Sequence, residues 1–461
     1  MQADQHNNRK PFLIILYTFL LLLVISLAIP EQFWTVKKYN AVNILADLKQ
    51  RKKPIVNKKY KPTPRKKELK QLVKDTIAAS KEVANIIRND LPIEYYDSTN
   101  EGLNHFLTAL QQLQVKKRRK VRIGYFGDSM IEGDLITQTI RSILQNKYGG
   151  DGVGFIPATS VVAHFRQTVK ASANEFWDDT HFFNNKKKLI LGVSGHTFFA
   201  KEGASLTIKP GGGKHLGNLY QLSILHGATL EQATLDFTFN GIPFRLAGKN
   251  SFNMQVLNPD TVIAKAQFLF KPSETPIYGF SAESKTGVIL DNLSFRGTSG
   301  VELTKLNLTM LKQIDSIRPY DLIVLQYGPN LLYADSIVNF GYYQKQLART
   351  IKHLKKAFPQ ASLLIISTAD KAFKIDGEYR TGDGVEALLA AQQKVAQQFN
   401  CAFFNLYEAM GGYNSMKAWV EKHPILAGID YTHFNQSGSA KIGRLIANAI
   451  LNEYEKNYPA K

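Results

Sequence analysis

From Val121 to the C-terminus, short apolar runs alternate with amphipathic stretches, and one long interruption breaks the rhythm. VRIGYFG reads as a strand, followed by a helical pattern over 130–148. After the interruption come GVILDNLSF, a helix over 303–317, DLIVLQYG, a helix over 337–358, ASLLIISTA, a helix over 384–399, CAFFNLY and a last helix over 436–454. Strands that alternate with helices predict a parallel sheet with helices on both faces, because a parallel crossover needs a helix-length connection. Ligands of such sheets bind at the carboxyl ends of the strands. The interruption, 161–284, holds alternating segments (ASLTIKP, LYQLSIL, ATLDFTF, AKAQFLF, PIYGFSA) divided by Gly, Asn and Pro, which is the pattern of a β-sandwich. No repeat of fixed period runs through the chain.

The expected organisation has five parts. Residues 1–30 form a cytoplasmic stub and transmembrane signal anchor, and 31–120 a basic linker and helical stalk. Residues 121–160 and 285–461 are the two halves of a catalytic domain, and 161–284 are inserted between them. The anchor rests on FLIILYTFLLLLVISLAI at 12–29, which as a helix spans about 27 Å, close to the bilayer core. Arg9 and Lys10 precede it, in keeping with a cytoplasmic N-terminus, although Lys37 and Lys38 weaken the asymmetry. A cleaved signal peptide is the alternative, with a small-x-small site at Ser26-Leu27-Ala28. The anchor predicts a single-pass inner-membrane protein with its catalytic body in the periplasm or otherwise outside the cytoplasm. Helical spacing over 66–89 and 100–114 is compatible with a stalk or with packing on the catalytic domain.

There are 58 Lys+Arg against 38 Asp+Glu, a net charge of +20. The excess concentrates in RKKPIVNKKYKPTPRKKELK and KKRRK, ahead of the first strong strand. Such blocks are solvated tails or attract anionic surfaces. No zinc finger, RNA-recognition signature or basic zipper accompanies them, so nucleic acid is not an expected partner. The lone Cys401 excludes an intramolecular disulfide and sits in an apolar run as a buried small residue.

The polar residues that matter lie where the strands end. The first strand leads to Gly127-Asp128-Ser129, the next to Gly297, the third to Gly328-Pro329-Asn330, and a late loop carries Asp430-Tyr431-Thr432-His433 just before the last helix. A serine hydroxyl is a weak nucleophile without a base, and His433 supplies one. Asp430 is close enough in sequence to orient that imidazole. Ser129 is expected at a helix N-terminus, where an unpaired N–H and the helix dipole favour an anion. Acyl transfer needs donors aimed at a tetrahedral oxyanion, and the N–H groups of Ser129 and Gly297 with the Asn330 amide fill that role.

These four blocks, GDSM, FRGTSG, GPN and DYTH, resemble those of the SGNH/GDSL hydrolase superfamily. The run GDSMIEGDLITQTIRSILQNKYGGDGVGFIP and the β-insert before Gly297 are nearer to the peptidoglycan and polysaccharide O-acetylesterases and acetyltransferases, whose insert looks like a carbohydrate-binding module. The resemblance covers about 121–160 and 285–461. It implies an SGNH-type α/β fold, a parallel sheet flanked by helices with the inserted β-sandwich, the triad Ser129, Asp430 and His433, and an oxyanion hole of Ser129, Gly297 and Asn330. One departure is Leu331, where many members have Asp.

No cofactor and no metal is expected. PGGGK at 210–214 lacks the first glycine of a phosphate-binding loop, and the glycines of 149–154 follow a helix rather than a strand. The expected function is serine-dependent removal of O-acetyl groups from an extracytoplasmic glycan. The first alternative is an O-acetyltransferase with the same triad and a membrane-bound acyl-transfer partner. The second is an inactive glycan-binding protein, for which Trp177, Phe182, Phe183, Tyr220, Phe237, Phe239 and Phe244 of the insert are stacking candidates, although such aromatics usually fill a sandwich core.

Overall fold

The computed structural model describes residues 17–18, 87–96, 101–230, 233–334 and 338–459. Apart from Tyr17 and Thr18, the apolar run at 12–29 lies outside them, as does nearly all of the helical pattern at 66–89. Among the described residues, no helix is long and apolar enough to cross a membrane.

The parallel sheet is there. Its five strands lie in the order Gly287–Ser294, Lys120–Gly127, Leu322–Gln326, Ser362–Ile366, Ala402–Phe404. All four pairings are parallel. In chain order this is 2-1-3-4-5, so the direction of winding reverses beside the first strand. A reversal parts the loops at the carboxyl edge and leaves a crevice between the first and third strands.

The strands are apolar on both faces because both faces are covered. Leu322 and Val324 join Val121, Ile123 and Tyr125 in one core with the helices Asn104–Gln114, Thr137–Tyr148 and Gln436–Asn457. Ile323 and Leu325 point the other way, into a second core with Leu308–Ile317, Gly341–Ala357 and Val385–Phe399. Period-two alternation therefore feeds two cores at once, and each fully buried Leu or Ile contributes about 1.5–3 kcal/mol. Asn104–Gln114, within the stretch read as linker and stalk, buries Phe106, Leu107 and Leu110 in the first core.

The insert is a sandwich. One sheet contains Trp177–His181, His196–Ala200, Ile277–Glu283, Gln221–His226 and Asn253–Val256, and the other contains Val169–Ala173, Ser205–Pro210, Ala266–Phe270, Leu235–Phe239 and Ile242–Leu246. Their inner faces share one apolar core, with Phe268 of one against Phe280 of the other at 4.9 Å between ring centres. Gly154–Ile156, which the sequence groups with 121–160, pairs antiparallel with Ile277–Glu283 and so joins the sandwich. The Phe155 N–H also donates to Asp291 Oδ1, 2.9 Å away on the central sheet, so the segment is tied to both layers.

Buried charges lock the sandwich to the central sheet. Arg122 donates to Glu283 at 2.5 Å, and Arg318, held by Asp291 at 2.8 Å, also donates to Glu283 at 3.4 Å. Glu283 ends a sandwich strand while Arg122 and Asp291 lie in the sheet. Removing one member of such a set strands a buried charge, at a cost of roughly 3–5 kcal/mol.

Candidate active site

The first strand ends where only glycine fits. A Cβ on Gly127 would fall 2.9 Å from Gln326 O and from Ile131. The chain then turns on Asp128, which is fully buried and accepts the Met130 N–H through Oδ1 at 2.9 Å. That side-chain-to-backbone bond closes a tight Asx-type turn and projects Ser129 outward.

The helix expected from Met130 does not begin there. A single 3-10 turn, Glu132–Asp134, comes first, and the α-helix starts at Thr137. Gly133 and Asp134 have φ of 70° and 68°, a left-handed conformation through which a right-handed helix cannot run. Ser129 therefore stands on a turn, eight residues before the α-helix, and not at the helix N-terminus expected from the sequence. Asp134 is held in that conformation by a buried pair with Arg141 at 2.6 Å. Burial acts to raise its pKa, but Arg141 and Arg166 bring it down to about 2.

His433 arrives on the loop ahead of Gln436–Asn457. The loop is fastened at several points. Gly428 N–H donates to His433 O at 2.8 Å, and Asn435 caps the helix by accepting the Gly438 N–H at 2.9 Å. Tyr431 takes a left-handed φ of 52° and stacks flat on Tyr379, 3.6 Å between centres. Its carbonyl accepts the Ala372 N–H at 3.1 Å.

The result is a continuous chain of hydrogen bonds. His433 Nε2 lies 2.9 Å from Ser129 Oγ, and His433 Nδ1 lies 2.6 Å from Asp430 Oδ2. Asp430 Oδ1 accepts the N–H groups of Thr432 and His433 at 3.1 and 3.0 Å. Burial works to raise the Asp430 pKa, but the hydrogen bonds from His433 and Thr432 hold it below the usual carboxylate value. An ionised Asp430 favours the proton on Nδ1 and leaves the Nε2 lone pair facing the serine hydroxyl.

The other candidates converge on the same edge. Gly297 follows the strand Gly287–Ser294 with φ of 78°. Neither its N–H nor that of Ser129 donates a hydrogen bond among the described residues. Asn330 lies in the 3-10 turn Pro329–Leu331, and its Nδ2 donates to Thr298 O at 2.8 Å and to Asp128 Oδ2 at 3.2 Å. Both of its protons are thus engaged, and donation to a substrate oxygen requires that one be shared.

Three residues not singled out from sequence shape this edge. Burial pushes Asp128 up to about 6. Lys371 donates to the carbonyls of Pro329 and Leu332, both at 3.0 Å, and so holds the Asn330 turn. Tyr379 braces the loop of His433. Lys371 and Tyr379 lie between the ASLLIISTA strand and the helix at 384–399, where the sequence reading placed no element and the structure has the hairpin Ala372–Ile375 and Glu378–Thr381 just after Lys371. The signal was present: Asp376-Gly377 between two alternating segments is the pair that a tight hairpin turn favours.

No family model and no curated protein sequence matches the chain. Among solved structures, a peptidoglycan O-acetylesterase superposes with a TM-score of 0.66, covering 79% of this chain and 99% of that one at 20% identity. The fold resembles that of the O-acetylesterase. At this identity the likeness concerns the fold alone. A lipase/acylhydrolase from Enterococcus faecalis covers 36% of this chain and 77% of its own, at 20% identity and a TM-score of 0.27. An acetyl xylan esterase covers 36% and 81%, also at 20% identity and 0.27. Similarity that low adds nothing to the assignment.

Proposed function

We propose that the chain is a serine esterase that removes O-acetyl groups from a glycan outside the cytoplasm. The observation that carries this reading is the hydrogen-bonded chain from Ser129 through His433 to Asp430, set beside the crevice where the sheet reverses its winding.

In this reading Ser129 Oγ attacks the ester carbonyl carbon while its proton passes to His433 Nε2. The carbonyl oxygen becomes an oxyanion, which the Ser129 and Gly297 N–H groups and the Asn330 amide receive. The C–O bond to the sugar then breaks, and the imidazolium returns its proton to the departing sugar oxygen. Water then attacks the acetyl carbon of the Ser129 ester as His433 Nε2 takes its proton; the bond from that carbon to Oγ breaks, the imidazolium returns the proton to Ser129 Oγ, and acetate leaves.

The apolar run at 12–29, preceded by Arg9 and Lys10, supports an inner-membrane anchor with the catalytic body on the periplasmic side. Such an anchor also suits the transferase alternative, in which a membrane-bound partner charges Ser129 and a sugar hydroxyl replaces water.

The deciding experiment compares the wild-type protein with Ser129→Ala on nitrophenyl acetate, with and without an oligosaccharide acceptor. Steady release abolished by the substitution supports the esterase. A burst that turns over only with the sugar would identify a transferase. Equal inertness of both proteins would overturn the acyl-transfer reading and favour glycan binding alone.

A further inference from the structure

Six of the seven aromatics of the insert named above are buried or partly buried, as sandwich packing requires. Phe183 is the exception, with 57% of its surface exposed. It also lies beside the chemistry: a Cβ built on Gly297 would have Phe183 Cε2 as its neighbour, at 4.0 Å. The ring is not loosely tethered. It stands edge-on to Phe295 at 5.4 Å, and Phe182 packs against the same Phe295 at 5.0 Å. Asn184 clamps the turn by accepting the His181 N–H at 2.6 Å and donating to Asp179 O at 2.9 Å. Folding gains little from a phenylalanine held in water, since its stabilising effect comes from burial. A fixed and exposed aromatic beside a reaction centre has the character of a preorganised contact for an apolar face of a ligand.

We infer that Phe183 is a specificity-determining residue contributed by the sandwich, a platform on which a pyranose ring of the substrate lies by its C–H face. The inference rests on the esterase reading and deepens it. With the acetyl carbonyl oxygen at the Gly297 N–H, the sugar that carries the ester must extend away from Ser129 along the neighbouring surface. Phe295, against which the Phe183 ring stands, is also a wall of a cavity of about 590 Å³ whose lining includes Arg296, Glu132, Val161 and the Asp179–His196 pair. A mixed lining of apolar and polar side chains suits a sugar, which presents C–H groups on its faces and hydroxyls around its rim.

The test uses the full-length protein, Phe183→Ala and Phe183→Trp, with nitrophenyl acetate and with O-acetylated chito- and xylo-oligosaccharides. The expected result for Phe183→Ala is a KM for an acetylated oligosaccharide raised about three- to tenfold. Its kcat on the sugar, its kinetics on nitrophenyl acetate and its Tm should stay at wild-type values, and Phe183→Trp should restore the sugar KM. Equal slowing on nitrophenyl acetate would mean that the ring serves the acetyl group or the Gly297 turn, and the inference falls. It falls too if the sugar KM does not move, with the esterase reading intact; if the wild type cleaves nitrophenyl acetate but neither oligosaccharide, the inference falls together with the glycan part of that reading, and only the serine esterase chemistry stands. A wild type inert toward every ester overturns both.

Discussion

Asn330 reaches across the crevice to Asp128, Nδ2 to Oδ2 at 3.2 Å, and so joins the ends of the first and third strands of the central sheet. The same nitrogen donates to Thr298 O at 2.8 Å, which brings in the turn of Gly297. One amide therefore sets the spacing of three strand ends, and a change at Asn330 should be felt in the transition state before it is felt in binding. Asn330→Ala is expected to lower kcat on nitrophenyl acetate by about 10²–10³-fold with little change in KM, the loss typical of one oxyanion donor. Steady-state kinetics decide it: a raised KM with an intact kcat would place the amide outside the oxyanion hole.

Asp430 touches Ser129 only through His433. Removing a group that acts through another is costly alone and nearly free once the other is gone. Asp430→Ala should lower kcat by about 10²–10⁴-fold, and Asp430→Ala added to His433→Ala should change almost nothing further. If the double variant is slower than His433→Ala by the full single-variant factor, Asp430 has a role of its own.

Tyr379 lies outside every sequence block, yet its ring covers Tyr431, two residues from His433. A stacked pair of this kind contributes about 0.5–1.5 kcal/mol. Tyr379→Ala should release the loop and reduce kcat by up to about tenfold, with Tyr379→Phe close to wild type because the stack needs no hydroxyl. An unaffected kcat for Tyr379→Ala would show that the remaining hydrogen bonds of the loop suffice.

Two buried carboxyls give the fold an acid-side preference. Burial raises both Asp128 and Asp370 to about 6, against 3.8 for an unperturbed aspartate. Between those values the folded protein holds protons that the unfolded chain has released, so stability falls as pH rises from about 4 to 6 and then levels off. Each group accounts for on the order of 3 kcal/mol of that decline. Asp430 is shifted downward, so its contribution is present above 3.8 and is lost only at more acid pH. Asp370→Asn should flatten the slope of unfolding free energy between pH 4 and 6 in urea titrations; an unchanged slope would refute the assignment. Asp370 accepts the Met416 N–H at 2.8 Å, a bond that the amide oxygen of the substituted side chain can keep.

The alternation of apolar runs was enough to require a parallel sheet with two covered faces, since only that arrangement buries Leu322 and Ile323 together. The strand ends then marked Ser129, Gly297 and Asn330, and the loop before the last helix marked Asp430 and His433, because turns leave polar groups free for chemistry. Strand order was not legible: runs apolar on both sides carry no record of their neighbours, and the reversal that opens the crevice exists only in three dimensions. The left-handed turn at Gly133 and Asp134 was hidden for a similar reason, as Asp134 is held there by Arg141 and Thr168, contacts that local propensity does not include. Sequence by itself determined which residue types stand at the edge of the sheet. The tertiary structure decided that Ser129 Oγ meets His433 Nε2 across 304 positions of chain, and that Phe183 faces water while Phe182 is buried, because distance and exposure are set by packing between segments and not by the order of residues within one.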